Sequence, residues 1–425
     1  MSTSLAAPRP VLGQGQPIMG AAAEGLRVSL ADLGRLGVFL ALATSGVVFS
    51  EPAPVDLVLM GLVLLLPIAG LVRLAPGMVL QVALWLGCGI GALVASTMSM
   101  EIGDSSRHTL VSFYLYAAFL VLAGFVAADP DRHTRLVLRA WVLAALVAAA
   151  AALAGYFKAF PGAFDLFTRF GRAAGTFKDP NVLGPFLVPP ILYIGHRILH
   201  REARWTWIDL AGLGVLVLAL LLSFSRGAWF NLAVAVGLYG ALTLITLATP
   251  AARARLLILA ALGLALVAGA VVAALQIDDV ARLLAERSSL TQSYDVGPEG
   301  RFGGQQKAIG LILANPLGLG AKQFAAHHHH EDVHNVYLSM FLNAGWLGGL
   351  LYIAAVAATL VAGFAHVLRG SSTRPLFLIA LAAFAANVLE GFVIDTDHWR
   401  QFYFLLALIW GLIGASGPAA QKTLP

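Results

Sequence analysis

The sequence predicts an all-α, polytopic integral membrane protein with about twelve transmembrane helices and one large periplasmic loop. Of its 425 residues, 59% are hydrophobic and only 12% are charged, whereas about a quarter of a soluble domain is charged. Apolar stretches of roughly 20 residues recur along the chain, which is the helical length that a hydrocarbon core of about 30 Å requires. Short polar connections separate these stretches.

Twelve apolar stretches predict spans. They lie near 33–50, 55–72, 77–98, 109–128, 136–156, 181–199, 208–224, 228–247, 255–276, 336–364, 375–394 and 400–415. The run 208–247 is about twice as long as one crossing needs, and polar residues interrupt it at 223–227. We therefore predict two helices joined by a tight turn at a membrane face.

Charged residues divide the short connections into a basic set and an acidic set. Because basic residues mark cytoplasmic loops, both termini are predicted to be cytoplasmic, and 157–180 and 277–335 are predicted to lie on the opposite, outer side of the membrane. The second connection is long enough to contain short helices of its own. The predicted organisation is a disordered cytoplasmic tail (1–30), nine transmembrane helices (31–276), a periplasmic loop (277–335), three further helices (336–415) and a cytoplasmic tail (416–425).

The charge pattern and the single cysteine exclude several classes of partner. The net charge of +5 comes from basic residues scattered between apolar runs, which argues against a nucleic acid partner. Cys88 lies alone in an apolar run, so the sequence has neither a disulfide framework nor a cysteine-based metal site. No Walker or Rossmann signature is present. The absence of these signatures agrees with a protein that needs no nucleotide cofactor.

Arg226 lies in the predicted turn between two apolar helices. A guanidinium there is costly unless an anion or a carboxylate meets it. It either snorkels to water or pairs with an acid such as Asp179, or it forms an anion site, since arginine donates paired hydrogen bonds to phosphate. If Arg172 and Arg301 converge on the same place, three guanidinium groups would hold a diphosphate.

His334 lies where the large loop re-enters the membrane. A neutral imidazole can take a proton from a hydroxyl nucleophile, and a capping or interfacial histidine also fits this position. The run His327–His330 raises a metal alternative, because His330 and His334 are four residues apart with Glu331 or Asp332 nearby. Consecutive histidines are expected to point in different directions, so they cannot all bind one ion.

Several motifs follow one another in a characteristic order. They are Gly-Thr-Phe-Lys-Asp-Pro-Asn at 175–181, Ser-Arg-Gly at 225–227 and His-Asn-Val-Tyr-Leu at 334–338, followed by Gly345 and Gly348. Together they resemble the O-antigen ligase and O-antigen polymerase superfamily, and the resemblance covers most of the chain. It implies a GT-C-like glycan transferase of the bacterial inner membrane that works without a metal or a nucleotide.

The resemblance also implies residue roles. Arg172 and Arg226 match the arginines that are expected to contact a lipid diphosphate. Arg301 matches the loop arginine, and His334 matches the proposed general base, which makes 277–335 the catalytic loop. The remaining residues expected to bind the diphosphate or the glycan are Lys178, Asn181, Asn335 and Tyr337.

The implied reaction is a single inverting displacement at the periplasmic face. His334 removes a proton from an acceptor hydroxyl, whose oxygen attacks the anomeric carbon of an undecaprenyl-diphosphate-linked glycan. Arg172 and Arg226 stabilise the departing diphosphate. A ligase passes the glycan to lipid A–core, the acceptor that the resemblance slightly favours, whereas a polymerase passes it to another lipid-linked repeat. Membrane lipid surrounds either enzyme.

Two other classes of protein fit the composition. A transporter of lipid-linked glycans has a similar number of spans, but the sequence shows no inverted repeat, and its polar residues gather at one membrane face rather than at the midplane. A scaffold of a polysaccharide assembly complex is the second alternative. It predicts that alanine at Arg226 is silent.

Overall fold

Helices make up most of the computed structural model, which describes residues 29–202, 204–276, 282 and 297–416. The predicted tails lie almost entirely outside the described residues, as does part of the predicted loop. Five helices come first. They are α1 (Leu30–Thr44), α2 (Pro54–Ile68), α3 (Met78–Met98), α4 (Ile102–Ala128) and α5 (Pro130–Tyr156).

The connection after α5 contains a small hairpin. One helical turn, α6 (Ala163–Phe167), leads into the antiparallel strands β1 (Thr168–Arg169) and β2 (Arg172–Ala173). Phe170 and Gly171 join the strands with φ values of 53° and 69°, and two positive values are what a type I′ turn requires. The hairpin returns the chain to the bundle at the buried β2.

Four long helices follow the hairpin: α7 (Pro180–Leu199), α8 (Thr206–Leu222), α9 (Arg226–Thr246) and α10 (Pro250–Ala274). The predicted tight turn is confirmed, because only three residues separate α8 from α9.

The predicted large loop contains the short helices α11 (Arg301–Ala314) and α12 (Gln323–His327). The last three helices are α13 (Val336–Leu368), α14 (Arg374–Glu390) and α15 (Arg400–Ala415).

Every predicted span overlaps a helix, and the all-α membrane fold is confirmed. By length and composition, α3, α4, α5, α7, α9 and α13 are suited to cross a membrane, and α2, α8 and α15 are shorter apolar helices. The number of crossings stays a prediction. Helices α4 and α5 begin six or seven residues before the predicted spans, because hydropathy detects the part of a helix in hydrocarbon and misses polar turns in the interface.

The centre of the bundle is formed by α7, α14 and α15, whose apolar side chains are almost all buried. Helix α3 packs against α13, α4 against α15, and α9 against α14. Large apolar side chains such as Leu64, Leu264 and Val361 are instead more than half exposed. A soluble protein rarely exposes so much apolar surface, and in a bilayer these side chains contact lipid.

Helix α13 is kinked at Gly345, which has φ 66° and ψ −173°, a conformation essentially restricted to glycine. The chain preceding α12 docks at this kink. Trp346 donates its backbone N–H to Pro316 O at 2.9 Å, and Leu319 donates to Leu342 O at 2.7 Å. The Asn-Pro-Leu-Gly-Leu-Gly motif therefore attaches the large loop to α13.

Candidate functional site

Arg172 on β2 is held by two hydrogen bonds. Its Nε donates to Ser223 O at 2.7 Å, and its Nη2 donates to Asn181 Oδ1 at 2.7 Å. Asn181 in turn lies in the first turn of α7, which Asp179 caps by accepting the Asn181 backbone N–H at 2.8 Å. Arg172 is only 7% exposed, so these contacts fix the plane of a buried guanidinium.

The turn between α8 and α9 carries Arg226. Ser225 caps α9, and its Oγ accepts the backbone N–H of Ala228 at 3.3 Å. Arg226 is the first residue of the helix and is half-buried. Because Arg172 donates to the carbonyl of Ser223, three positions before Arg226, the two arginines are connected through the same turn.

A buried carboxylate lies against this end of α9. Glu390 accepts from Asn231 Nδ2 at 2.7 Å, and a Cβ at Gly227 would lie 2.7 Å from Glu390 Oε1. A larger residue at 227 would therefore displace the carboxyl group of Glu390 from its place against α9. Glu390 is not among the residues that the sequence predicts for the site, and its one signal there is that it is an acid inside the apolar run 375–394.

His334 adopts the left-handed backbone conformation, with φ 52°. Contacts on both sides of the peptide hold it there. Its N–H donates to Asp395 Oδ2 at 3.1 Å, and its carbonyl accepts from Gln305 Nε2 at 3.4 Å. The imidazole Nε2 lies 3.6 Å from Glu331 Oε2. Asn335, the residue after His334, is the N-cap of α13.

The environment of His334 favours the neutral imidazole. Burial lowers the pKa of His334 below its ordinary 6.5, and the positive charge of Arg301 lowers it further, whereas Glu331, Asp332 and Asp179 act in the opposite direction. The side chain is 30% exposed, so solvent still reaches it. A neutral, accessible imidazole at pH 7 is the form that accepts a proton. Gln305 lies one turn after Arg301 on α11, so its hydrogen bond to His334 O brings the start of that helix to His334.

Asp395 supports His334 and was not singled out by the sequence analysis. Its Oδ1 accepts from Ser339 Oγ at 2.5 Å, while Oδ2 accepts the His334 N–H. Burial raises the pKa of Asp395 to about 7, and the charge of Asp397 adds to the rise, while the hydrogen bonds from Ser339 and His334 oppose it. From the sequence, Asp395 was visible only as one acid of a short connection.

The remaining predicted residues differ in their positions. Asn335 Oδ1 accepts the backbone N–H of Tyr337 at 3.1 Å, and Tyr337 Oη donates to Val388 O at 2.7 Å. Both side chains thus hold the start of α13 beside His334. Lys178 instead lies 3.4 Å from Glu51. Substrate contacts of Lys178, Asn181, Asn335 and Tyr337 stay predictions.

Two clusters within the described residues have ligand atoms close enough to hold a metal ion. They are Glu299, His329 and His330, and His108, Asp397 and His398. Neither cluster contains His334, whose Nε2 faces Glu331. His327 lies apart from both, 3.7 Å from Glu101.

A cavity of about 360 Å³ is lined by none of the candidate site residues. Its lining residues come from the beginning of α5 and from the end of α7 and the turn that follows: Arg135, Arg139, Tyr193, Arg197 and Glu202. The hairpin with Arg172 follows the other end of α5, and the 21-residue interval from Arg135 to Tyr156 corresponds to roughly 30 Å of helix. This cavity is therefore separate from the candidate site.

A comparison with known protein families matches a part of the chain that contains several of the candidate site residues. Residues 211–353 match a family model described as O-antigen ligase. No curated protein matches the chain. The matched residues run from α8 into α13 and include Arg226, Arg301 and His334, whereas Arg172 and Asp395 lie outside them. The match confirms the predicted resemblance to the superfamily and supports a role in membrane glycan transfer.

Proposed function

We propose that this protein, whose residues 211–353 are similar to the O-antigen ligase family, moves an undecaprenyl-diphosphate-linked oligo- or polysaccharide to an acceptor hydroxyl at the periplasmic face of the bacterial inner membrane. One observation supports the proposal most. The guanidinium of Arg172 donates a hydrogen bond to the turn that carries Arg226, while α11, which begins at Arg301, is hydrogen-bonded to His334 through Gln305. Positive charge for a diphosphate and a base for a hydroxyl thus occur at one end of the helices.

The proposed reaction is a single displacement without a metal. His334 accepts the proton of the acceptor hydroxyl as the hydroxyl oxygen forms a bond to the anomeric carbon. The bond between that carbon and the diphosphate oxygen breaks, and its electron pair leaves with undecaprenyl diphosphate. Attack from the opposite side inverts the anomeric configuration, and the imidazolium then returns its proton to solvent.

The arginines act on the leaving group. Negative charge develops on the diphosphate as the anomeric bond breaks, and a fixed guanidinium in a partly dehydrated site stabilises that charge without reorganising. Loss of one such hydrogen bond costs about 2–4 kcal/mol, or roughly 30- to 1,000-fold in rate. Arg172 is well suited to this role because its orientation is already fixed by Ser223 and Asn181.

The direct test is transfer by the purified protein in detergent, with a lipid-linked donor and an acceptor. We expect His334→Ala, Arg226→Ala and Arg172→Ala each to reduce transfer at least 30-fold. Arg169→Ala is the matched control, because Arg169 lies on the same hairpin but its side chain donates to the nearby backbone carbonyls of Asp165 and Thr168. Normal transfer by His334→Ala and Arg226→Ala would defeat the assignment.

The same assay separates an enzyme from a transporter or a scaffold. Detergent micelles have no second compartment and no gradient, so transfer there requires catalysis. A transporter or a scaffold would leave donor and acceptor unchanged.

We propose lipid A–core as the acceptor, with a lipid-linked repeat as the alternative that would make the enzyme a polymerase. Both reactions use the same donor, arginines and base. Cells lacking the protein distinguish them: loss of a ligase leaves long lipid-linked chains, whereas loss of a polymerase leaves single repeats. Electrophoresis of lipid-linked and surface glycans measures the difference.

The proposed orientation has both termini in the cytoplasm. In a Cys88→Ser background, we expect a membrane-impermeant maleimide to label Asp104→Cys in spheroplasts and to leave Arg369→Cys unlabelled until the membrane is opened. Both positions are exposed. The reverse labelling pattern would contradict the orientation and the periplasmic assignment of the site.

A further inference from the structure

The proposed transfer makes no use of the histidine run. Helix α12 ends at His327, and the chain beyond it is irregular, so neighbouring side chains need not diverge. The rings of His329 and His330 have centroids 4.5 Å apart and planes inclined by 33°. The expectation that consecutive histidines point in different directions is therefore wrong for this pair.

A carboxylate from another segment faces the two rings. Glu299 Oε2 lies 3.9 Å from His329 Nε2 and 3.7 Å from His330 Nδ1. A tetrahedral Zn²⁺ bonds histidine nitrogen at about 2.0–2.1 Å and carboxylate oxygen at about 2.0–2.2 Å, which puts its ligand atoms roughly 3.4 Å apart. The three ligand atoms all lie within 4.8 Å of one another, so side-chain movements of about an ångström or less would bring them to that spacing.

The state of His329 supports a ligand role. Its side chain is 2% exposed, and its Nε2 makes no hydrogen bond to any residue that the structure describes. Its Nδ1 lies 3.3 Å from both the carbonyl oxygen and the backbone nitrogen of Glu331, so Nδ1 can donate to the one or accept from the other. The tautomer that donates Nδ1–H to the carbonyl leaves a lone pair on Nε2, whereas the tautomer that accepts at Nδ1 would bury an Nε2–H without a hydrogen-bond acceptor, which is costly.

The polar contact at Nδ1 matches a recurring feature of metal sites. A metal-binding histidine usually donates its second ring N–H to a backbone carbonyl or a carboxylate, which fixes both the tautomer and the ring orientation. Gly304 allows the ring to lie close to α11, since a Cβ there would be 3.2 Å from His329 Cε1. The packing thus holds Nε2 toward Glu299.

We propose that Glu299, His329 and His330 bind one Zn²⁺ ion, with water completing the tetrahedron. Glu299 immediately precedes Gly300, the cap of α11, and Arg301. His330 lies four residues before His334. The ion would therefore link the start of α11 to the segment that carries His334. Its role would be to stabilise the large loop, and it would take no part in the transfer reaction.

The test is metal binding by the full chain, purified through an affinity tag without histidine, stripped with a chelator and dialysed against ZnCl₂ alone. We expect one Zn²⁺ per chain by elemental analysis. We expect Glu299→Gln and His330→Ala to weaken binding at least tenfold, since even second-shell changes weaken metal sites 10- to 100-fold. Both side chains are more than half exposed, so these variants should fold.

His327→Ala is the matched control from the same histidine run, because His327 faces Glu101 instead, and it should bind Zn²⁺ as the unmodified protein does. X-ray absorption should report nitrogen and oxygen ligands at about 2.0–2.2 Å. Absence of stoichiometric Zn²⁺, or equal binding by Glu299→Gln and His327→Ala, would overturn the proposal. Because no donor or acceptor is present, this result is independent of the proposed transfer.

Discussion

Removal of the Asp395 side chain should impair catalysis without weakening donor binding. Asp395 accepts the backbone N–H of His334, which has a left-handed conformation that an L-residue adopts only at a cost of about 1–2 kcal/mol. In Asp395→Ala this N–H loses its acceptor, and the conformation that positions the imidazole loses its main support. The arginines and their contacts are untouched.

The structure gives the size of the effect. At pH 8 Asp395 is ionised, because its pKa is about 7. A hydrogen bond to a charged group contributes about 1.5–3 kcal/mol, and 1.36 kcal/mol corresponds to a tenfold change. If the lost hydrogen-bond energy affects only the position of the His334 imidazole, kcat should fall roughly 10- to 150-fold, and KM for the donor should stay within about twofold.

Steady-state transfer by purified variants at pH 8 measures this effect. Ser339→Ala is the matched control, because it removes the other hydrogen bond to the same carboxylate and leaves the His334 contact in place; its kcat should fall by less than that of Asp395→Ala. Asp395→Asn retains an acceptor oxygen and should lie between the two. A raised KM with an unchanged kcat in Asp395→Ala would refute a positioning role.

Further predictions concern pH and stability. Transfer should decline as pH falls through about 7, where Asp395 takes up a proton, and a pH profile of Asp395→Asn that keeps this decline would contradict the assignment. Since burial raises the pKa of Asp395 above its ordinary 3.8, folding stability from this group should fall as pH rises from about 4 to about 7, and thermal unfolding of Asp395→Asn should lack that slope. Gly345→Ala should lower Tm by several degrees, because an alanine pays about 1–3 kcal/mol for this backbone conformation and its Cβ would lie 2.8 Å from Leu317 O. Gly237→Ala is the control and should not lower Tm, because a Cβ there would have no atom within 4 Å. Asn335→Ala should cost about 0.5–2 kcal/mol of stability through the lost cap of α13, and an unchanged Tm would contradict that role.

The sequence predicts what depends on local pattern. Apolar length locates the helices, and the polar residues at 223–227 predict the turn that presents Arg226. The sequence leaves open whether Arg172 and Arg226 converge, and the hydrogen bond from Arg172 to Ser223 now connects Arg172 with that turn. Lys178 shows the limit, because a basic residue in the right motif lies beside Glu51, and nothing in the sequence indicates that neighbour.

Contacts between distant segments could not be predicted. His334 and Asp395 are 61 positions apart, and Gly227 and Glu390 are separated by 163. Each pair depends on how α9, α13 and α14 pack, which periodicity alone does not determine. The proposed metal site also depends on a contact between distant segments. Helical spacing pairs His330 with His334 in the sequence, whereas in the structure His330 lies 3.7 Å from Glu299.

The hydrogen bond from Arg172 to Ser223 has a consequence for exchanging parts between relatives. A chimera that transplants only residues 211–353 would carry Arg226, Arg301 and His334 into a relative. The relative would then supply the hairpin that carries Arg172 and the acid that corresponds to Asp395. Correct assembly would depend on whether the hairpin of the relative forms the hydrogen bond to the transplanted turn. Grafts that include 168–181 and 387–400 should keep the interlocking surfaces together and exchange donor preference as a unit.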